Sequence, residues 1–103
     1  FKHFKHVCFF TGYNYFSVIC LVVKRNDVVI FVGGKKSSNA KVLYNHCLEV
    51  NPSTIFVSGE DDITEEILEV CRRVEKVGIC GATSTPKWLM EQIRSYIENA
   101  ELL

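Results

Sequence analysis

After Asp27, apolar β-branched runs alternate regularly with amphipathic helical patterns, and this alternation is the strongest constraint on the fold. The run "VVIFV" contains no polar residue and no two-residue alternation, which is typical of a parallel strand covered on both faces. Three strands, "VVIFV", "STIFVS" and "KVGIC", are each followed by a helical pattern, over residues 38–50, "DDITEEILEVCRRV" and "TPKWLMEQIRSYIENA". This order predicts an α/β fold: a mainly parallel sheet with helices on both faces and right-handed crossovers, in a single three-layer domain.

The helical periodicity predicts which side chains face the sheet. One apolar stripe runs along each helix: Ala40, Leu43, Cys47 and Val50 in the first; Ile63, Ile67, Val70 and Val74 in the second; Leu89, Ile93, Tyr96 and Ile97 in the third, with Pro86 at its first position.

Residues 1–26 follow the alternation of strands and helices less consistently than the rest of the chain. The run "YFSVICLVV" has strand propensity, but a buried helix fits it equally. We therefore divide the chain into a divergent N-terminal segment, residues 1–26, and an α/β domain, residues 27–103. The chain begins with Phe1, which predicts that it is a piece of a longer protein.

The composition narrows the class of function. The chain has 103 residues with 12 basic and 12 acidic side chains, so neither a nucleic-acid partner nor a membrane surface is expected. No apolar run approaches the roughly 18 residues of a membrane span. The five cysteines are odd in number and show no CxxC spacing, which favours reduced thiols and a cytoplasmic location.

Two turns are unusually rich in hydrogen-bond donors: "GGKKSSN" after the first strand and "GATSTP" after the third. Parallel strands end at the same edge of a sheet, and helix N-termini attract anions, so the two turns together predict a phosphate or diphosphate site. Helix capping is the alternative, because a helix needs only one N-cap and five residues here are of capping type: Ser37, Ser38, Asn39, Ser84 and Thr85. Neither turn matches GxGxxG or a P-loop.

The segments "DVVIFVGGKKSSNAKVLYNHC" and "VEKVGICGATSTPKWLMEQI" resemble the C-terminal domain of the LytB/IspH family. That family is 4-hydroxy-3-methylbut-2-enyl diphosphate reductase, an oxidoreductase that makes isopentenyl and dimethylallyl diphosphate in the methylerythritol phosphate route to isoprenoids. The resemblance implies that four residues bind the substrate diphosphate: Ser37, Ser38, Asn39 and Ser84. The second turn departs from the family, with Cys80-Gly81 for Thr-Ala and Ala82-Thr83 for Gly-Ala.

Upstream, "HVCFFTG" resembles the family segment that carries an iron–sulfur ligand. The resemblance implies that Cys8 is one of three cysteine ligands of a 4Fe-4S cluster and that Thr11 places a hydroxyl beside it. A buried cysteine at a strand end is the alternative for Cys8.

The implied partners are a small diphosphate substrate and an electron donor such as ferredoxin or flavodoxin, in the cytoplasm or a plastid stroma. The other two cysteines, the diphosphate-binding histidines and the proton-donating glutamate of the family are missing here, so we expect this chain alone to be inactive. A non-enzymatic phosphate-binding α/β module and a degenerate gene remnant are the competing interpretations.

Overall fold

A computed structural model of the chain describes residues 4–7, 24, 26–74, 76–82 and 85–102. It contains four strands: β1 (Phe4–Val7), β2 (Val28–Val32), β3 (Thr54–Val57) and β4 (Val77–Gly81). Within residues 26–102, the described part contains three helices, α1 (Ser38–Val50), α2 (Glu65–Arg73) and α3 (Lys87–Leu102), with a short 3-10 helix at Glu60–Asp62.

The strands form one sheet in the order β1-β4-β2-β3, and every neighbouring pair is parallel. Strand β2 is central, with Ile30 opposite Ile55 of β3 and Ile79 of β4. All five of its residues are buried, which is why this stretch is apolar without alternation. The predicted parallel α/β fold is confirmed.

Helices cover both faces of the sheet. The side chains of Val28, Ile30 and Val32 belong to one core, shared with α2 and α3, whereas Val29 and Phe31 belong to a second core, shared with α1. Because successive side chains of a strand point to opposite faces, a single run of five apolar residues serves both cores.

The chain reverses its direction across the sheet after β3. It leaves β2 through α1 to reach β3, then returns through α2 past β2 to β4. The helices that follow β2 and β4, α1 and α3, lie on opposite faces, which leaves a crevice beyond the carboxyl ends of these two neighbouring strands. In parallel α/β sheets, ligands bind at such a topological switch point.

Some predicted details of the helices are wrong. Helix α2 begins at Glu65 rather than at Asp61, because the Thr64 side chain caps it and residues 60–62 form the 3-10 helix. The buried residues of α2 are Leu68 and Cys71, with Ile67 and Val74 packed partly buried against the same core. Three side chains predicted to be buried are instead 36–38% exposed: Val50, Val70 and Tyr96.

In α3 the buried stripe is Met90, Ile93 and Ile97, so Tyr96 falls at its margin. Val50 is the last residue of α1, where the helix leaves the sheet.

Strand β1 was not predicted. It pairs with β4, with Phe4 opposite Val77 and Val7 opposite Ile79, so its carboxyl end reaches the same edge of the sheet as those of β2 and β4. The run "YFSVICLVV" lies outside the described residues. Within the described part of the chain, no helix combines the length and apolarity needed to cross a membrane.

Candidate functional site

A cavity of about 220 Å³ lies beyond the carboxyl ends of β2, β3 and β4. It is lined by the turn after β2, the end of β3 and the start of α3: Gly33, Gly34, Ser37, Ser58, Thr85, Pro86 and Leu89. The cavity therefore lies at the switch point that the topology creates, and residues of both polar turns contribute to it.

The turn after β2 folds tightly against α1. A β-carbon at Gly33 would lie 2.8 Å from the Ala40 β-carbon, so only glycine allows this approach. The Ser37 N–H donates to the Gly34 carbonyl at 3.1 Å, which closes the turn around the two lysines. The Ser37 hydroxyl oxygen then accepts a hydrogen bond from the Ala40 N–H at 3.1 Å, so Ser37 is the N-cap of α1.

The N-cap bond leaves the Ser37 hydroxyl hydrogen available. A serine hydroxyl has one donor hydrogen and two acceptor lone pairs, and the cap uses only a lone pair. Among the described residues, the Ser37 hydroxyl hydrogen has no acceptor, and neither have the N–H groups of Ser38 and Asn39 in the first turn of α1. Capping and anion binding are thus compatible roles for the same serine.

The Thr85 hydroxyl, in the turn after β4, makes different hydrogen bonds. The Thr85 hydroxyl accepts from the Ala82 N–H at 3.0 Å and donates to the Val32 carbonyl at 2.8 Å. Its only hydrogen is therefore directed at the end of β2. Thr85 lines the cavity but has no hydroxyl hydrogen to offer a ligand there.

A third hydroxyl group comes from the end of β3. The Asp62 carboxylate accepts two hydrogen bonds from Ser58, one from its hydroxyl at 2.6 Å and one from its N–H at 2.7 Å. The other carboxylate oxygen lies 3.5 Å from the Lys35 ammonium group. These hydrogen bonds, the hydroxyl bond first, lower the pKa of Asp62 below its ordinary value, against a small opposing effect of burial. The Ser58 hydroxyl hydrogen is thus already donated to Asp62.

The structure describes part of the predicted site. Ser37 lines the cavity, while Ser38 and Asn39 lie exposed in the first turn of α1 and do not line it. Ser84, Thr11 and Cys8 lie outside the described residues.

Sequence reasoning did not place Ser58 or the bridging role of Thr85 at the site. Ser58 could have been found, since it is the last residue of the strand pattern "STIFVS" and therefore reaches the ligand edge.

The described cysteines do not fit an iron–sulfur cluster. Cys71 is buried in the core under α2 and α3, whereas Cys47 and Cys80 are buried in the core on the opposite face. A hydrogen bond with Cys80 lowers the pKa of Cys47, while burial opposes this shift. In the described part of the chain, no three histidine, cysteine or acidic residues are grouped so that they could share a metal ion.

A larger groove, of about 350 Å³, lies on the face of α1, lined by Lys41, Tyr44, Asn45 and Phe56. The ring of Tyr44 contacts Phe31 and Phe56, and its hydroxyl lies 3.5 Å from the carbonyl of Thr54, the first residue of β3. The groove thus lies over an aromatic cluster beside the edge strand, away from the carboxyl ends of the strands. We therefore assign the candidate site to the smaller cavity.

The parallel sheet and its cavity at the switch point are the arrangement of ligand-binding α/β proteins. Comparison with family models gives the particular family. The model described as "LytB protein" matches residues 1–98, and the chain therefore belongs to the LytB family.

Two curated relatives illustrate the similarity. The chain is 54% identical over 76 residues to the 4-hydroxy-3-methylbut-2-enyl diphosphate reductase of Prosthecochloris aestuarii, a match that covers 73% of this chain. It is 46% identical over 92 residues, or 79% of the chain, to the enzyme of the same name from Parabacteroides distasonis. The matches cover 23% and 31% of the relatives, so this chain spans less than a third of their length.

A solved structure agrees with this result. It is the structure of (E)-4-hydroxy-3-methyl-but-2-enyl diphosphate reductase, described as the terminal enzyme of the non-mevalonate pathway. The TM-score is 0.72 with 33% sequence identity, and the match covers 84% of this chain and 31% of the solved one. The similarity in fold therefore extends over most of the chain.

Proposed function

We propose that this chain is the diphosphate-binding part of a 4-hydroxy-3-methylbut-2-enyl diphosphate reductase. The observation that carries the proposal is the position of Ser37: it lines a cavity at the switch point, caps α1 through its oxygen, and donates its hydroxyl hydrogen to none of the described residues. Family membership supplies the substrate class, and the named relatives are reductases of this diphosphate.

The chain's own residues would bind the diphosphate from the N-terminus of α1. The Ser37 hydroxyl would donate one hydrogen bond, and the N–H groups of Ser38 and Asn39 would donate two more along the helix axis. The side chains of Ser38 and Asn39 are exposed at the same helix end and would reach the outer oxygens. Ser84 would bind from the second turn, as the family resemblance implies.

The lysines of the first turn would add positive potential. Lys35 and Lys36 are both exposed, and Lys35 is paired with Asp62 beside the cavity. A mobile ammonium group near the cavity attracts an anion without fixing its orientation, whereas hydroxyl and N–H groups fix it. The helix end would therefore determine how the diphosphate is oriented.

The reduction itself would use groups beyond those the structure describes. Reductive removal of the substrate hydroxyl consumes two electrons and two protons and releases water, and an iron–sulfur cluster of the 4Fe-4S type supplies the electrons in this family. Cys8 would be the one cluster thiolate from this chain, with Thr11 beside it, and an electron donor such as ferredoxin or flavodoxin would complete the reaction. We propose a cytoplasmic or plastid location for it.

Titration with inorganic pyrophosphate tests the binding proposal directly. Amide chemical shifts of the chain report the dissociation constant and the residues affected, and we expect the largest changes from Gly33 to Asn39. Asn39→Ala should weaken binding about ten- to a hundredfold, since a hydrogen bond to a charged oxygen contributes about 1.5–3 kcal/mol.

Asn45→Ala is the matched control, because it makes the same change at an exposed position further along α1. It should leave binding unchanged. Equal binding by both variants would contradict the proposal. The chain alone should show no reductase activity; activity would have to be tested on the longer protein, and its absence there would favour a non-enzymatic phosphate-binding module.

A further inference from the structure

The Thr85 hydroxyl connects the ends of two strands that are far apart in sequence. It donates to the carbonyl of Val32, 53 residues away at the end of β2, at 2.8 Å. It also accepts from the N–H of Ala82, just after β4, at 3.0 Å. Val32 and Ala82 are almost completely buried, so bulk water cannot take the place of the Thr85 hydroxyl as hydrogen-bond partner of either backbone group.

The surroundings of this hydroxyl are tightly packed. A β-carbon at Gly81 would lie 2.8 Å from the Val32 carbonyl oxygen and 2.9 Å from the Thr85 side chain. The side chain of Thr85 and the end of β2 therefore occupy the space that any larger residue at position 81 would need. The two strand ends have little freedom to move closer together or to exchange partners.

We propose that Thr85 is a positioning residue of the anion site, which fixes the distance between the turn after β2 and the turn after β4. This inference rests on the proposed function, because it concerns the same cavity. Thr85 would not bind the diphosphate through its hydroxyl hydrogen, since that hydrogen is directed at Val32. Hydrogen bonds weaken steeply as their distances and angles depart from the preferred values, so the spacing of the two turns matters for affinity.

Thr64, another threonine of the chain, provides a control that distinguishes this positioning role from helix capping. Thr64 caps α2, accepting from the Ile67 N–H at 3.3 Å, and does not line the cavity. Thr64→Val therefore removes a threonine hydroxyl from a helix N-terminus without touching the two turns. It should lower the melting temperature and leave the pyrophosphate dissociation constant unchanged.

The test compares Thr85→Val, which keeps the shape, with Thr85→Ser, which keeps the hydroxyl. Pyrophosphate dissociation constants are measured on the 103-residue chain from amide shifts, together with thermal melts. We expect Thr85→Val to weaken binding roughly tenfold or more, the effect of losing about one hydrogen bond to a charged oxygen, and Thr85→Ser to stay within about threefold of the original chain. Without ligand, Thr85→Val should also shift the amide signals of Gly33 and Gly34.

Each outcome decides the inference. Thr85→Val with unchanged affinity and unchanged Gly33 and Gly34 signals would overturn it, even if Asn39→Ala weakens binding as the proposed function requires. Loss of affinity in Thr64→Val to the same extent would also overturn it, because the effect would then follow stability alone. If Thr85→Val does not fold, Thr85→Ala is measured in its place. If the original chain does not bind pyrophosphate at all, the proposed function fails and this inference fails with it.

Discussion

The turn after β2 and the turn after β4 both follow a buried parallel strand, both contain glycine and hydroxyl residues, and both lead into a helix. In the first turn, the Ser37 hydroxyl lines the cavity, accepts from the backbone and donates to none of the described residues. In the second, the Thr85 hydroxyl both accepts and donates, and it joins β4 to β2. Among the described residues, the capping hydroxyl of the first turn makes only a contact within its own turn, whereas the Thr85 hydroxyl of the second turn also joins two strands.

The largest effect on stability is expected at Gly81, where the end of β4 is packed most tightly against β2 and Thr85. Gly81→Val places a branched side chain against the Val32 carbonyl and Thr85, so it should destabilise the fold by about 3 kcal/mol. For a domain of this size this corresponds to a fall in melting temperature of at least about 12 °C. Thermal denaturation followed by circular dichroism measures it.

Gly34→Ala is the control in the first turn, since a β-carbon there would lie 3.7 Å from the Ser37 β-carbon, an ordinary contact. Its melting temperature should change little. A tolerated Gly81→Val would mean that the two strand ends can move apart, and the contrast between the turns would be lost.

The next effect concerns the free hydrogen of Ser37. Ser37→Gly keeps most of the capping stability but removes the hydroxyl, whereas Ser37→Ala removes both. Both variants should weaken pyrophosphate binding about ten- to a hundredfold, and only Ser37→Ala should lose about 1 kcal/mol of stability. Calorimetric titration and melting of the two variants separate affinity from stability. If Ser37 acts only as a cap, Ser37→Gly will bind pyrophosphate as the original chain does.

The sequence was sufficient for β2, β3 and β4 but not for β1 or for the use of each hydroxyl. Buried runs such as Val28–Val32 determine a parallel strand because all their residues are apolar, and the glycine and serine turns mark the ligand edge. Which hydroxyl keeps its hydrogen depends on acceptors distant in sequence: the carbonyl of Val32 lies 53 residues from Thr85. Local patterns do not contain that information.

The predicted start of α2 was wrong because a side-chain contact, and not the local pattern of charges, determines where the helix begins. The acidic run at residues 60–62 is compatible with the first turn of a helix, but the hydrogen bonds between Asp62 and Ser58 hold it in a separate 3-10 turn. The helix then begins after Thr64, and its buried face moves from Val70 to Leu68 and Cys71.

A smaller effect is expected from the carboxylate beside the first turn. Asp62→Asn weakens the two hydrogen bonds from Ser58 and should cost about 1 kcal/mol at pH 7. The pKa of Asp62 is lowered in the folded chain, so its contribution is present at neutral pH and is lost as the pH falls through that lowered value. Urea denaturation at pH 7 and near pH 2 should show the difference between the variants disappearing in acid. Asp61→Asn, at the exposed neighbouring position, should show no such difference.

The smallest effect concerns the two lysines of the first turn, Lys35 and Lys36. Lys35 pairs with Asp62 at 3.5 Å but is largely exposed, so Lys35→Gln should change stability by less than about 1 kcal/mol. A unit charge about 6 Å from another in water interacts by about 0.7 kcal/mol, which is about threefold in affinity. Lys35→Gln should therefore weaken pyrophosphate binding about threefold at low salt, and the difference should shrink in 0.5 M salt because of screening. Lys36→Gln is the matched control. If it weakens pyrophosphate binding as much as Lys35→Gln does, the effect comes from the general positive potential of the turn. If it weakens binding less, the effect comes from Lys35, which Asp62 holds beside the cavity.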